Sequence, residues 1–404
     1  EILVFVGTFA CREGTGEGSD TMALAMQWVK NFFATMVPDC NGEPMKPNLS
    51  RLDRLFTLMP LIKDDLVPVD KWGHQVNVPR DWNPGYGVPA KAILGEGSYG
   101  VVWRARDKST KQIFAVKKMP AASGVANLIN NREKSVAAHL RAVAHPCVVR
   151  LLDILEHSDS CSVVMEFCCH GDLQDRIEGG RHGERYDRPK PALAWAAQVF
   201  LGLEYLHTCV GMLVRDVKPQ NVVIGTGLRA KLTDFGMSRL AATSDGTCSF
   251  HPSVPPGSPH YVAPEVILGN GYDYHADLYS LAVLVWTLLT GGLKHLKEAQ
   301  PPCAKMRAHG PDRLMPLVNN WKLLQAAIED PQSQGARPLP NDESKDFILK
   351  LLDRKKEHPW VNHEEVRQLP FFRDADLPPP GDNQATVDWL ERSVNGPLYG
   401  VHDP

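Results

Sequence analysis

One octet constrains this chain more than anything else in it: Val214-Arg215-Asp216-Val217-Lys218-Pro219-Gln220-Asn221, followed at once by the apolar run Val222-Val223-Ile224. It sets an acid, a lysine and an amide in one short loop that leads into a strand. Eighteen residues after Asp216 comes Asp234-Phe235-Gly236. A carboxylate near a hydroxyl, a lysine near a phosphate, and an Asn and an Asp facing metal are what phosphoryl transfer needs, since the protein's task there is positioning and charge neutralisation. Taken singly, an Asp or Asn is more often a turn residue than a ligand, so the weight rests on what accompanies them.

Upstream lies Gly95-Glu96-Gly97-Ser98-Tyr99-Gly100-Val101-Val102. Glycines let a backbone come close to a phosphate chain, but dinucleotide-binding folds use a similar spacing. The flanking runs decide between them. Val101 to Ala105 and Ile113 to Lys117 read as two strands joined by the turn Asp107-Lys108-Ser109-Thr110, where a dinucleotide unit needs a helix. Lys117 closes the second strand. Leu128 to Ala144 reads as a helix stopped by His145-Pro146, with Glu133, Ala137 and Leu140 on one face. A glutamate there can hold Lys117, and Glu133 is a better candidate than Glu156 or Glu166, which fall near or within strand-like runs. Val148 to Leu155 and Cys161 to Phe167 supply two further strands.

Gly95, Lys117, Glu133, Asp216, Lys218, Asn221 and Asp234 stand in the order and spacing of the eukaryotic protein kinases. The chain resembles that family, in its serine/threonine branch, over roughly residues 89 to 372. The resemblance implies an α+β, two-lobed, protein-kinase-like fold: a five-stranded small lobe with one helix over 89–166 and a larger, mainly helical lobe over 170–372. Residues 1–88 are then an N-terminal extension and 373–404 a C-terminal tail. It also implies roles. Asp216 orients a substrate hydroxyl and accepts its proton. Lys218 neutralises the transferred phosphoryl, and Lys117, paired with Glu133, holds the nucleotide phosphates. Asn221 and Asp234 hold Mg2+. ATP is bound by Gly95, Glu96, Gly97, Ser98 and Gly100 of the glycine loop, by apolar contact from Val102, Ala115 and Val223, by the backbone at Glu166 and Cys168, and by Asp172 at a ribose hydroxyl. Met165 limits the back pocket. Thr247, Ser249, Ser253 and Ser258 belong to the activation segment, which closes on Ala263-Pro264-Glu265, and a phosphate on one of the first three would pair with Arg215 and Arg239. Asp277 resembles the buried aspartate that caps the catalytic-loop backbone.

Two departures stand out. Val214 occupies the place of the family's usual His, and His358 that of the Arg that pairs with the glutamate matching Glu265; Arg354 is the candidate substitute. Gln220 stands where kinases that prefer basic substrates carry Glu, which argues against an arginine requirement. The competing reading is a pseudokinase, a nucleotide-binding scaffold, which predicts loss of Lys117, Asp216 or Asp234; all three are present. The Ala-Pro-Glu segment disfavours a small-molecule kinase.

The remaining sequence adds bounds. At 404 residues, 43% hydrophobic, 23% charged and with formal net charge -3, the composition gives no electrostatic case for binding nucleic acid or an anionic membrane. The nine cysteines show no metal spacing and read as reduced thiols in a cytoplasmic or nuclear setting. The chain begins at Glu1, which reads as a fragment or a processed chain, and Ile2 to Ala10 is too short to span a bilayer. It fits a buried strand or the remnant of a removed signal or anchor. Met22, Met26, Val29, Phe33 and Met36 predict an amphipathic helix, either docked on a hydrophobic surface or offered to a regulatory partner. Helical pieces are also expected at 317–328, 344–352, 364–368 and 385–393.

Overall fold

The structure, a computed structural model, describes residues 66–78, 88–97, 100–120, 134, 136–141, 144–156, 160–178, 190–240, 258, 260–267, 273–291, 315–334, 336–353 and 362–394. By its contacts the chain divides at residue 60, and everything described belongs to the second unit, residues 61–404. The expected N-terminal helix lies outside the described residues.

Alternation builds the small lobe. Strand β3 (Gly100–Asp107) buries Trp103, Ala105 and Asp107 on one side, as a period of two requires. It pairs antiparallel with β2 (Ile93–Gly97) and with β4 (Ile113–Pro120); β4 pairs with β6 (Ser160–Glu166), and β6 with β5 (Leu151–Glu156). Trp103, Ala105, Phe114 and Val116 form a cluster on one face of the sheet. Val102, Ala115 and Lys117 therefore lie on the other, facing the rest of the molecule. At the β2–β3 turn a Cβ on Gly100 would sit 2.4 Å from the Lys118 carbonyl oxygen, so no side chain fits there.

All five expected strands are present, and a sixth joins them. β1 (Leu66–Pro68), from the stretch read as irregular extension, pairs antiparallel with the far half of β3, Leu66 opposite Asp107 and Pro68 opposite Ala105. Pro68 ends this short strand at the sheet edge, where its missing N–H is tolerated. Leu66 fills the cluster around Trp103. The following turn is closed by Asp70, whose Oδ1 accepts from the Trp72 and His74 amides, each at 2.9 Å. Arg104 donates to the Asp70 carbonyl at 2.8 Å and lies over the Phe167 ring at 4.6 Å. Val148, expected in a strand, makes only a single bridge to Leu232, and β5 begins at Leu151.

In the large lobe α1 (Leu173–Glu178) precedes α2 (Lys190–Thr208); α3 (Pro264–Ile267), α4 (His275–Thr290), α5 (Met315–Glu329), α6 (Pro331–Gln334), α7 (Asp342–Leu352), α8 (His363–Arg367) and α9 (Asn383–Val394) follow. Every residue of α4 is buried, which suits a helix apolar on all sides. Its hydroxyls turn inward on the backbone: Thr287 and Thr290 donate to the carbonyls four residues back at 2.8 Å. Gly291, at φ 98°, ends it. In α2 a Cβ on Gly202 would meet the Cys147 carbonyl oxygen at 2.9 Å, so the glycine lets α2 close on the chain entering β5. Residues 134 and 136–141 are helical, and Ala144, expected as the last residue of a helix over 128–144, is not; the remainder of that expected helix lies outside the described residues. Among the described residues no helix is long and apolar enough to cross a membrane.

Candidate active site

Lys117 is 7% exposed, placed by the β3–β4 register opposite Val102. Its Nζ donates to Asp234 Oδ1 at 2.8 Å. Asp234 sits at φ 58°, a left-handed conformation that Asp tolerates better than most residues. That turn lets Oδ1 also accept from the Gly236 amide at 3.4 Å. Burial works against the charged carboxylate, but the Lys117 ammonium, the Gly236 amide and Lys218 more than offset it and hold the carboxyl below the usual carboxylate range. The side chain is still 46% exposed, so an ionised oxygen faces the cleft.

The octet crosses the cleft floor between β7 (Met212–Leu213) and β8 (Val222–Ile224). β7 is pinned by β10 (Arg239–Leu240), and β8 by β9 (Ala230–Leu232); the Thr233 amide donates to the Asn221 carbonyl at 2.9 Å, tying loop to hairpin. Four side chains converge there. Lys218 Nζ donates to Asp216 Oδ2 and to Ser258 Oγ, each at 2.7 Å, and Ser258 Oγ donates to Asp216 Oδ1 at 3.0 Å. Asn221 Nδ2 donates to the Asp216 carbonyl and to Asp216 Oδ2, each at 2.9 Å. With both amide hydrogens committed, Oδ1 of Asn221 is the atom offered to a cation.

The loop is held from behind. Asp277 Oδ2 accepts from the Val214 amide at 2.8 Å, and Oδ1 from the Arg215 amide at 2.7 Å, the capping that the resemblance implies. Arg215 sits at φ 68°, a conformation costly for a residue with a long side chain, and the carboxylate fixes its amide there. His207 Nε2 lies 2.8 Å from Asp277 Oδ2. Val214 is buried in the same apolar cluster as Phe235, and its carbonyl accepts from Ser238 Oγ at 3.2 Å. A valine side chain offers apolar contact at this position and none of the polar groups of an imidazole.

A sequence model of the protein kinase domain matches residues 89–372. The chain belongs to the protein kinase family. It is 32% identical over 314 residues to Protein kinase 2 of Dictyostelium discoideum, covering 77% of this chain and 59% of that one. It is 32% identical over 347 residues to the ovarian-specific serine/threonine-protein kinase Lok of Drosophila melanogaster, covering 83% and 66%. To human serine/threonine-protein kinase ULK3 it is 28% identical over 306 residues, covering 70% and 58%. The chain thus spans about six-tenths of the length of these curated relatives.

Met165 is buried opposite Ala115 in the main cluster, against which Val102, Cys168 and Val223 pack. The Glu166 side chain is turned away from the cleft's chemistry: its Oε1 accepts from the Arg150 amide at 2.8 Å and from Lys231 Nζ at 2.7 Å. Lys231 lies on β9 opposite Val223, so this ion pair ties the end of β6 to the large lobe. Burial, with Glu166 adding to it, pushes the Cys168 thiol up to about 12, which leaves it inert as a nucleophile. Asp172 Oδ1 accepts from the Asp175 amide at 2.8 Å and so is engaged in starting α1. Gly95 and Glu96 lie exposed on β2, where Gly97 pairs with Gly100.

Glu133, Ser98, Thr247, Ser249 and Ser253 lie outside the described residues, as do Arg354 and His358. Sequence reasoning missed three long-range pairs. Lys231–Glu166 is one. In a second, Arg367 Nε donates to Glu204 Oε1 at 2.6 Å, its Nη2 pairs with Oε2, and its Nη1 reaches the Pro378 carbonyl at 2.7 Å. The third joins His207 to His363. A short-range signal did exist for the last two: Phe200, Glu204 and His207 share a face of α2, as His363 and Arg367 share one of α8.

Proposed function

We propose that this kinase transfers the γ-phosphoryl group of ATP, with Mg2+, to serine and threonine hydroxyls of proteins. The convergence of Lys218, Ser258 and Asn221 on the Asp216 carboxylate, with the Lys117–Asp234 pair close enough for Lys218 to act on Asp234, carries this reading. Asp216 accepts the proton of the incoming hydroxyl; two donors on Oδ2 and one on Oδ1 fix its orientation. Lys218 supplies the positive charge beside the transferred group and, through Ser258, ties the peptide-side segment to the loop. Lys117 serves the nucleotide phosphates. Val102, Ala115 and Val223 would hold the adenine by apolar contact, and the Glu166–Cys168 backbone would bond to it. Asn221 Oδ1 and the half-exposed Asp234 carboxylate are the hard oxygen donors that Mg2+ takes, and they fit it. When bound, Mg2+ neutralises phosphate oxygens and ATP supplies the group transferred.

The serine/threonine names of the Drosophila and human relatives and the Lys218–Ser258 contact support the branch. Beside the loop, Gln220 Nε2 donates to Gln174 Oε1 at 3.3 Å, so at position 220 itself an amide stands where kinases that prefer basic substrates carry a carboxylate; acceptor peptides without arginine should serve. The test is transfer from γ-labelled ATP to a generic protein, followed by identification of the labelled residue. Label on serine or threonine, lost in Asp216→Asn, is expected. Label on tyrosine overturns the branch. ATP bound with no label transferred favours the scaffold reading instead.

A further inference from the structure

We infer that His363 is a positioning residue for the catalytic loop, acting as the outer member of a hydrogen-bonded relay His363–His207–Asp277 that sets the Val214 and Arg215 amides. The inference rests on the kinase reading for its kinetic consequence, but not for its structural one.

The relay is short and continuous. His363 Nε2 lies 2.9 Å from His207 Nδ1, and His207 Nε2 lies 2.8 Å from Asp277 Oδ2. That carboxylate accepts the two amides immediately before Asp216. Proton inventory fixes the roles. An ionised Asp277 only accepts, so His207 Nε2 carries a hydrogen. When His207 is neutral its Nδ1 is an acceptor, and His363 Nε2–H must donate. When His207 is charged its Nδ1–H donates, and His363 Nε2 must accept. A neutral imidazole meets both demands by changing tautomer, which no apolar residue can do.

The surroundings keep His363 neutral and in place. Burial pushes its ring down to about 2, and His207, His275 and Arg367 add to the effect. His275 is itself bonded to Asp273, Nδ1 to Oδ1 at 2.6 Å. Arg367, one turn along α8, is committed to Glu204. The Tyr274 ring lies 4.6 Å from the imidazole and the Phe200 ring 6.3 Å, centroid to centroid. The start of α8 is fixed by a capping box: Asn362 Oδ1 accepts from the Glu365 amide at 2.9 Å while the Asn362 amide donates to Glu365 Oε2 at 3.4 Å. A loop that carries valine where an imidazole usually stands is here braced by imidazoles from its far side.

The test compares wild type, His363→Leu and His363→Gln by amide hydrogen exchange over residues 212–217 and by steady-state transfer. Leucine fills the space without bonding; glutamine can donate or accept. His363→Leu should exchange at Val214 and Arg215 about tenfold faster than wild type and lose several-fold in kcat with KM for ATP unchanged; His363→Gln should return both to within about twofold. Unchanged exchange in His363→Leu, or a defect that glutamine fails to rescue, overturns the relay. A scalar coupling across the His363–His207 hydrogen bond, sought in histidine-15N-labelled wild type, requires no variant to fold, and its absence also overturns the relay. Exchange and coupling are read without turnover. An inactive wild type would therefore sink the kinase reading, while the relay would stand or fall on those two measurements alone.

Discussion

Ser258 touches both members of the Asp216–Lys218 pair, its hydroxyl accepting from Lys218 Nζ and donating to Asp216 Oδ1. Removing it leaves a carboxylate and an ammonium each short of a partner. Hydrogen bonds to charged groups are worth roughly 1.5–3 kcal/mol, so Ser258→Ala should lower kcat about tenfold or more with ATP affinity unchanged, and Ser258→Thr should restore it. Steady-state kinetics against varied ATP decides this. Asp234 carries a pH prediction. Its carboxyl is held below its ordinary 3.8 in the fold, so the unfolded chain binds the proton more readily. The stability its charge confers is therefore complete above that ordinary value and lost as pH falls through the depressed one. Comparing unfolding of wild type and Asp234→Asn across acid pH should show a gap that is constant above the ordinary value and narrows below it. A gap that persists unchanged to the lowest pH would contradict the pairing.

At the scale of elements, a buried ion pair joins α2 to α8 beside the His207–His363 hydrogen bond. Arg367 forks onto Glu204, both largely shielded from solvent. Removing one partner from such a pair costs about 3–5 kcal/mol, whereas replacing both with apolar groups can be nearly neutral. Arg367→Met should therefore destabilise by that amount in denaturant unfolding, and Glu204→Leu with Arg367→Met should recover most of it. Helix α9 is equally integral. Trp389 is buried with Nε1 on the Ala375 carbonyl at 2.6 Å, and the Asn383 side chain donates to the Ala144 carbonyl at 2.9 Å, far away in sequence beside β5. Trp389→Ala should cost about 3–5 kcal/mol by the same measurement. The long helices could be read from the sequence: α2 because Leu193, Ala197, Phe200, Leu201 and Leu206 recur at helical spacing, and α4 because its apolar run is much longer than a strand. β1 could not: three residues ending in proline leave no period to detect. α9 was readable as a helix, but the face it buries was not.

For the molecule as a whole, the polar residues of the cleft were legible because their types and spacing are tightly constrained by the chemistry. Asp216, Lys218, Asn221 and Ser258 meet as their order along the chain implied, and Asp234 meets Lys117. What stayed hidden are the braces, Glu166–Lys231, Glu204–Arg367 and His207–His363, each joining residues 65 to 163 positions apart. Each partner alone looks like an ordinary surface charge or core histidine; only the fold determines which faces meet. The central claim is that the cleft works as one phosphoryl-transfer unit, and a double-mutant cycle on transfer rate tests it most directly. Wild type, Asp216→Asn, Lys218→Met and the double variant are compared on one protein acceptor. The account predicts measurable wild-type transfer, a loss of about a thousandfold or more in each single variant, and little further loss in the double, because residues acting as a unit are strongly non-additive. Transfer by wild type no faster than by Asp216→Asn, or losses that multiply in the double variant, would contradict it.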